Sequence, residues 1–495
     1  MTDAHFPGPD AGTATNSQGS YSGILGGAIG DPEHASGSVR FRRALMLAAM
    51  TMVVPGSAQV LHGNKRIGHI AIRTWLACLA GVVLLLLGML VARETTLGFL
   101  TSAFVLSVGR WFLVALGFAW GALIIDAWRL GKPAQLRTGH RILATGLNGV
   151  LAVGIAAALL FASNMVAIQN QFIDSVFASG TVSKPHEGRY NILLLGGDSG
   201  AGRDGLRPDS LNLVSIDADT GKAVLIGLPR NLQDVQFAKG SVMDQQFPDG
   251  FDCDDCLLNG VYTWAMDHKN LFDEDEPGIS ATISAVEGIS GLKVNYFALV
   301  NMKGFSKLVN AVGGVEVNVR ERTAIGGIGS PIRGYIEPGL KKLTGDQALW
   351  YARSRVQDDD WHRMGRQKCV MNAMLQQISP KKVLLNLDKI SDSAQAMLET
   401  NIPRQDLNTF VNLALKTKSQ PVSTVSLVPP VIYTGNPDFP KVRQLITTAI
   451  EKSDGSYRAP AALEEANLPL ASYHDVSVKK DPRAANQTDN LAATC

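Results

Sequence analysis

Charge is scarce in this 495-residue chain: only 18% of its side chains carry one, and 46 Lys and Arg against 44 Asp and Glu leave a formal net charge of +2. A balance so near zero supplies no bulk attraction to a polyanion, which excludes a nucleic-acid binder driven by overall charge. Cysteine is scarcer still, and five in 495 exclude a disulfide-dense small scaffold. Cys253 and Cys256 form a C-x-x-C, no second close Cys/His pair accompanies them, and Cys369 stands alone in a segment of helical pattern. The expected reading of Cys253 and Cys256 is a disulfide or structural thiols, with zinc the rival that lacks ligands. Cys78 lies inside an apolar run and reads as packing.

The missing charge is missing mostly from one end. Residues 1–170 hold 12 of the basic and 6 of the acidic side chains, which leaves 34 against 38 for residues 171–495. The first part is net positive and broken by long uncharged runs; the second is net negative with the composition of a globular domain. A purely cytosolic enzyme and a disordered chain are both excluded. Residues 1–39, rich in Gly, Ser, Ala, Pro and Asp and without a visible secretory signal, read as a disordered cytoplasmic tail.

Residues 40–170 read as a membrane region. A span needs ~20 apolar residues, and three segments supply them: Thr74 to Ala92, Phe104 to Ile125 with Arg110 snorkelling or facing a partner helix, and Leu143 to Ile168. An earlier run from Ala44 is interrupted by Pro55, Gly56, Ser57 and Gln59 and reads as re-entrant or interfacial. Arg40, Arg42, Arg43, Lys65 and Arg66 belong on the same side as Arg129, Lys132, Arg137 and Arg141, while the loop holding Arg93 and Glu94 is nearly neutral. Basic loops stay inside. Three spans from a cytoplasmic N-terminus therefore put everything after about residue 170 outside the cell; four would leave basic loops on the wrong side.

From Tyr190 short apolar strands alternate with helix-length amphipathic segments. Strands are expected at Tyr190–Leu195, Leu211–Ile216, Ala223–Leu228, Tyr296–Val300, Val315–Val319 and Val422–Leu427. Helices are expected at Ile279–Ser290, Lys303–Ala311, Gly345–Arg353, Gly365–Ile378, Gln405–Leu415 and Lys441–Lys452. The fold class is thus a set of membrane helices followed by an extracytoplasmic α/β domain, a central mixed sheet flanked by helices. Residues 188–380 form the catalytic domain and 381–455 an α/β extension of it. Residues 456–495, where apolar periodicity fades, read as a flexible tail.

Charged residues gather where these strands end. Gly197-Asp198-Ser199 follows the first strand, Arg207 and Asp209 open the second, Pro229-Arg230-Asn231 follows the third, and Arg353, Arg355, Asp360, Arg363, Arg366 and Gln367 cluster downstream. Asp198 and Asp209 suit a hard cation such as Mg²⁺, which takes one or two carboxylates and leaves its other positions to water and phosphate. Guanidinium forks bind phosphate bidentately, so the set describes a pyrophosphate site. The plainer reading is a solvated salt-bridge network. A GDSL-type esterase competes, with Ser199 as nucleophile, His362 as base and Asp359 as its orienter, but it leaves the arginines without a role.

Taken in order, these segments resemble the LytR-CpsA-Psr family of cell-wall glycopolymer ligases. The resemblance runs from Asn191-Ile192-Leu193-Leu194-Leu195-Gly196 to Asp198, through Arg207-Pro208-Asp209-Ser210, Leu228-Pro229-Arg230, Gly313-Gly314-Val315-Glu316-Val317 and Leu343-Thr344-Gly345-Asp346-Gln347-Ala348-Leu349, to Tyr351-Ala352-Arg353-Ser354-Arg355 and Asp360-x-x-Arg363-x-x-Arg366-Gln367. It implies transfer of a phosphate-linked glycan from a polyprenyl-pyrophosphate carrier to a peptidoglycan hydroxyl, with release of polyprenyl phosphate; the same site would support pyrophosphate cleavage as a side reaction. It also implies Asp198 and Asp209 as ligands to Mg²⁺ or Mn²⁺, and Arg207, Arg230, Arg353, Arg355, Arg363 and Gln367 as pyrophosphate ligands. Arg207 and Arg353 are counted with Asp360 in the catalytic set, and Asp360 is the candidate base on the acceptor hydroxyl. A polyprenyl tail needs an apolar slot, for which Ile279, Ile283, Val286, Ile289, Phe297, Leu299, Phe305 and Leu308 are available, with ordinary core the default reading for any one of them. Ser210 stands where the family usually has Thr, and Asn231 where it usually has Asp. A protein that holds the lipid carrier without turning it over is the non-enzymatic alternative.

Overall fold

The computed structural model describes residues 37–177, 181–198, 207–253, 256–327, 329–377, 398–457 and 481–495, and only the backbone of 93, 94, 97, 175 and 198. Nearly all of the expected N-terminal tail lies outside the described residues. The chain divides into two compact units: Met1–Leu90 with Val108–Asn164, and Val91–Ser107 with Met165–Cys495.

The first unit is helical. Helices α1 (Gly37–Val53) and α2 (Ser57–His62) are separated by a break at Val54, Pro55 and Gly56, where the interrupted run was expected. Three helices follow: α3 (Lys65–Val91), α5 (Ala103–Leu130) and α6 (Thr138–Val176); these three are long and apolar enough to cross a membrane. Two polar side chains inside this unit reach across to neighbouring helices, where an unmet donor would be costly. Gln59 donates to the Leu123 carbonyl and to Asp126, and Trp120 donates to the Thr51 carbonyl.

The second unit holds α4 (Arg93–Thr101), the start of α5, the end of α6, and an α/β domain. Its sheet has the order β11-β10-β3-β2-β1-β4-β9 and is mixed. At its centre, β1 (Arg189–Asp198) pairs antiparallel with β2 (Arg207–Asp217) and parallel with β4 (Tyr296–Asn301). β3 (Ala223–Leu228) lies antiparallel to β2 and parallel to β10 (Val422–Ser426), while β9 (Leu398–Thr400) and β11 (Gln487–Thr488) form the edges. A strand buried on both faces is apolar at every position, as the run Ile192 to Leu195 is.

Helices α7 (Gly278–Ser290) and α12 (Phe439–Asp454) cover one face, where Leu193, Leu195, Ile226, Phe297 and Leu299 form the largest core cluster. The other face receives α8 (Met302–Ala311), α9 (Gly345–Arg353), α10 (Asp360–Gln377) and α11 (Leu407–Lys418). Two two-stranded sheets flank α9: β5 (Val315–Val319) pairs with β8 (Gly339–Leu343), and between them in sequence β6 (Thr323–Ile325) pairs with β7 (Gly334–Ile336). The start of α9 is written locally. Thr344 and Gln347 make a reciprocal capping box, and Gly345 packs so tightly on α8 that a Cβ there would meet the Ser306 carbonyl oxygen at 1.9 Å.

Two expectations are overturned. Residues 481–495 are not a free tail: β11 adds a strand to β10, and Ala485, Asn486 and Leu491 are buried. Cys369 is not alone, because it is bonded to Cys495, 126 residues later. Local periodicity has no access to either pairing, since both depend on chain returning from far along the sequence. Of the rest of the expected tail, residues 458–480 lie outside the described residues.

Candidate active site

The carboxyl ends of β1, β3 and β4 meet the start of β2, the end of α9 and the start of α10 at one edge of the sheet. Ligands of open α/β sheets bind at such an edge. A cavity of about 500 Å³ lies there. Its inner wall is apolar, drawn from Leu194, Ala298, Val300, Phe305, Leu308, Leu349, Val370, Met371 and Met374; its polar wall holds Asp209, Ser210, Arg230, Arg353, Arg355, Arg363 and Gln367.

The arginines are organised by two carboxylates. Arg230 donates from Nη1 to Asp209 Oδ1 at 2.7 Å. Asp360, in the first turn of α10, accepts from Arg363 Nη2 at 2.8 Å and from Arg355 Nη1 at 3.3 Å, and its Oδ1 lies 3.7 Å from Arg230 Nε. Arg363 also donates from Nη1 to the Asp209 carbonyl at 2.8 Å, which ties α10 to β2. Burial pulls the Arg363 guanidinium below its ordinary pKa, and the Asp360 charge beside it works against that pull. Arg353 ends α9 with its guanidinium 5.4 Å from the Trp350 ring centroid. Because the helix stops at Arg353 and Ser354 is extended, Arg353 and Arg355 both reach the cavity. Gln367 accepts from Ser210 Oγ at 3.0 Å and donates to the Ala352 carbonyl, joining β2, α9 and α10.

Buried donors almost always find acceptors. Among the described residues, the Nε groups of Arg230 and Arg363 are buried and make no hydrogen bond. Both residues line the cavity, but these Nε atoms are closed off from it and Arg230 Nε faces Asp360 Oδ1 at 3.7 Å, so the wall's attraction for an anion rests on four arginines, Arg230, Arg353, Arg355 and Arg363, set against the two carboxylates Asp209 and Asp360.

Other expected residues fall differently. Arg207 opens β2 opposite Asp198 with its side chain exposed, and it is not part of the cavity wall. Asp198 ends β1 at the same mouth, but its side chain lies outside the described residues, as does all of Ser199. Both oxygens of Asp360 face guanidinium groups, so the residue stands here as a brace for the arginines. His362 and Asp359 do pair, Nδ1 to Oδ1, at 2.7 Å, yet His362 Nε2 faces Asp481 at 3.6 Å. Burial works to raise the Asp359 pKa, but hydrogen bonds from the His362 backbone and ring outweigh it and hold the group below the usual carboxylate value. The pair thus braces the start of α10. Of the proposed lipid slot, only Phe305 and Leu308 line the cavity; Ile279, Val286, Ile289, Phe297 and Leu299 belong to the closed core under α7, with Ile283 packed against it.

Sequence reasoning missed Leu194, Ala298 and Val300, which stand one residue away from core positions on strands apolar on both sides. It also left Arg366 unassigned. That residue is almost fully buried, donates to the Tyr351 and Ser354 carbonyls and pairs with Asp358, so it locks the chain between α9 and α10. The C-x-x-C cysteines are bonded to each other, Cα atoms 5.0 Å apart. No group of three or more His, Cys, Asp or Glu side chains placed to hold a metal occurs among the described residues. A hard cation shared with a phosphate needs only one or two carboxylates, and Asp209, on the cavity wall with Oδ1 paired to Arg230, is a carboxylate of that kind.

The chain is 27% identical over 277 residues to a polyisoprenyl-teichoic acid–peptidoglycan teichoic acid transferase, TagV, of Bacillus subtilis, a match covering 54% of this chain and 65% of that protein. It is 26% identical over 270 residues to biofilm regulatory protein A of Streptococcus mutans, covering 52% of this chain and 60% of that one. The chain thus spans somewhat less than two thirds of each of these relatives. The crystal structure of Bacillus subtilis TagV superposes with a TM-score of 0.39 at 24% identity, over 55% of this chain and 100% of that one. The profile of the LytR-CpsA-Psr family matches residues 159–450, well over half of the sequence, and the chain belongs to that family.

Proposed function

We propose that this protein transfers a phosphate-linked glycopolymer from a polyprenyl-pyrophosphate carrier to a peptidoglycan hydroxyl and releases polyprenyl phosphate. The observation that carries the reading is the two-sided cavity: an apolar recess continuous with a polar wall on which four arginines outnumber the two carboxylates that pair with them. Such a site selects a ligand with an apolar tail and an anionic head. TagV, by its name, handles a polyisoprenyl-linked polymer and peptidoglycan, which supports the same ligand class here.

Phosphoryl transfer needs positioning and charge neutralisation more than covalent help from the protein. Arg230, Arg353, Arg355 and Arg363 would hold the bridging phosphates, and Gln367 with Ser210 would fix the polar wall. Asp360 orients Arg355 and Arg363, a role its geometry supports better than proton removal. Asp209, with Asp198 at the same strand mouth, would hold Mg²⁺ or Mn²⁺, whose charge would offset that of the pyrophosphate.

The three apolar helices are read as spans of a multi-pass anchor with the α/β domain outside the cell. Support comes from Arg404, which donates to the Thr101 carbonyl at 2.9 Å and to Asn170 at 2.8 Å and pairs with Asp174. Thr101 lies between the first two long helices and Asn170 near the end of the third. Both therefore share a side with the domain, as an odd number of crossings demands.

The test is to give the full chain, in detergent, a polyprenyl-pyrophosphate-linked glycan and a peptidoglycan acceptor, and to measure polyprenyl phosphate by mass spectrometry. Release that needs a divalent cation and falls about a hundredfold in Asp209→Asn is expected, the usual scale for one electrostatic contact. Lipid that co-purifies and is never turned over would favour the passive binder instead.

A further inference from the structure

The C-terminal segment, residues 481–495, lies along α10 and is attached to it at five points. His362 Nε2 faces Asp481 Oδ1 at 3.6 Å. The Pro482 carbonyl oxygen lies so close to Gly365 that a Cβ there would meet it at 2.0 Å. Asn486, buried, donates to the Trp361 carbonyl at 2.8 Å and accepts from Lys368 Nζ at 2.9 Å. Cys495 closes the segment by its bond to Cys369.

These attachments have a direction. At ~100° per residue, positions 361, 362, 365, 368 and 369 fall on one side of α10, and positions 360, 363, 367, 370 and 374 on the opposite side. The second set holds Asp360, which braces two arginines, and four residues of the cavity wall. The helix that presents the polar wall is thus gripped from behind by the end of the chain.

We propose that residues 481–495 are a strap that positions α10 for phosphoryl transfer, and that the Cys369–Cys495 bond makes this positioning depend on an oxidising exterior. The proposal rests on the ligase reading for its catalytic part and on geometry alone for its mechanical part. Closing the strap removes two electrons and two protons from the Cys369 and Cys495 thiols, and a thiol–disulfide exchange partner takes them as its own disulfide becomes two thiols. Cys369 is buried and Cys495 is partly exposed, so exchange would begin at Cys495.

The experiment uses the full chain in a Cys253→Ser, Cys256→Ser background, so that reductant acts on one disulfide. Hydrogen exchange and polyprenyl phosphate release are measured oxidised, after a phosphine reductant, and after reoxidation with oxidised glutathione. Reduction is expected to speed exchange in residues 481–495 and in the first three turns of α10 while β1 and β2 keep their protection. It is also expected to lower kcat about tenfold, within the cost of a small misplacement, with reoxidation restoring both. Cys495→Ser should match the reduced protein and ignore the reductant, and Asn486→Ala should give part of the same kcat loss with the disulfide intact. Exchange that rises equally in β1 and β2, or a strap that loosens with kcat unchanged, would overturn the positioning role. If α10 responds to reductant but the oxidised chain never releases polyprenyl phosphate, the mechanical part holds and the ligase reading fails.

Discussion

The two faces of the central sheet carry nearly the same kind of residue and do opposite things. Leu193, Phe297 and Leu299 pass into a closed core under α7, while Leu194, Ala298 and Val300, one step along the same strands, line a cavity. Alternation of side chains across a strand accounts for the division. What distinguishes the faces is what the helices bring. Helix α7 offers Ile279, Ala285, Val286 and Ile289, close-packed aliphatics; α10 offers Met371 and Met374 with Arg363 and Gln367. Methionine fills space adaptably, and arginine cannot be buried without partners. A face covered by such residues stays open to a ligand.

The largest effect should come from asking which arginine of α10 serves which role. Arg363 lines the cavity, whereas Arg366, one turn on, is consumed by Asp358 and two carbonyls. Arg363→Lys keeps the charge and loses the fork that ties α10 to β2, and should lower kcat/KM about 10²–10³-fold with a smaller loss of Tm than Arg366→Lys. Arg366→Lys should do the reverse, lowering Tm and leaving the kinetics of the folded fraction close to the parent. Equal kinetic losses in the two variants would erase the distinction between a ligand face and a braced one.

Next in size is the comparison of neighbouring residues on β4. Leu299→Ala removes packing from the closed face and should cost ~2–5 kcal/mol in chemical denaturation, with KM for the carrier unchanged. Ala298→Phe puts a ring into the cavity and should raise KM for a long-tailed donor about tenfold while leaving a short-tailed donor nearly unaffected, since each excluded methylene forfeits ~0.8 kcal/mol. If Leu299→Ala altered tail-length preference as much as Ala298→Phe, the assignment of the two faces would fail.

How far the sequence disclosed all this depends on whether the determining interactions are local. Strand β3 and helix α9 have the bounds that composition and capping suggest, because Ala223–Leu228 is uniformly apolar and Thr344 with Gln347 marks its own helix start. The polar wall was legible because strand exits and the first turn of a helix are fixed by short-range pattern. Which face of β1 would be open was not, since both faces are apolar. Arg363 and Arg366 look alike until Asp358 and Asp360 are placed in three dimensions. The strap was invisible, as its fifteen residues have no periodicity and are held by partners about 120 residues away.

A last contrast, read through pH, lies on the cavity side of the sheet, where an ammonium group is closed in. Lys368 is fully buried beside Ser426 Oγ at 2.5 Å and Asn486 Oδ1 at 2.9 Å, and no carboxylate stands among these partners. Burial without a counter-charge pushes its pKa down from 10.5 to about 7. Between those values the unfolded chain binds a proton that the folded chain does not, so stability gains ~1.4 kcal/mol for each unit of rising pH from this group, and the gain vanishes below 7, where both states are protonated. Lys368→Met should remove that slope from pH-dependent denaturation and, by sparing the folded chain a buried ammonium, should raise Tm most at acidic pH. An unchanged slope would mean that water or a carboxylate reaches the ammonium, and that this half of the face is no more closed than the cavity beside it.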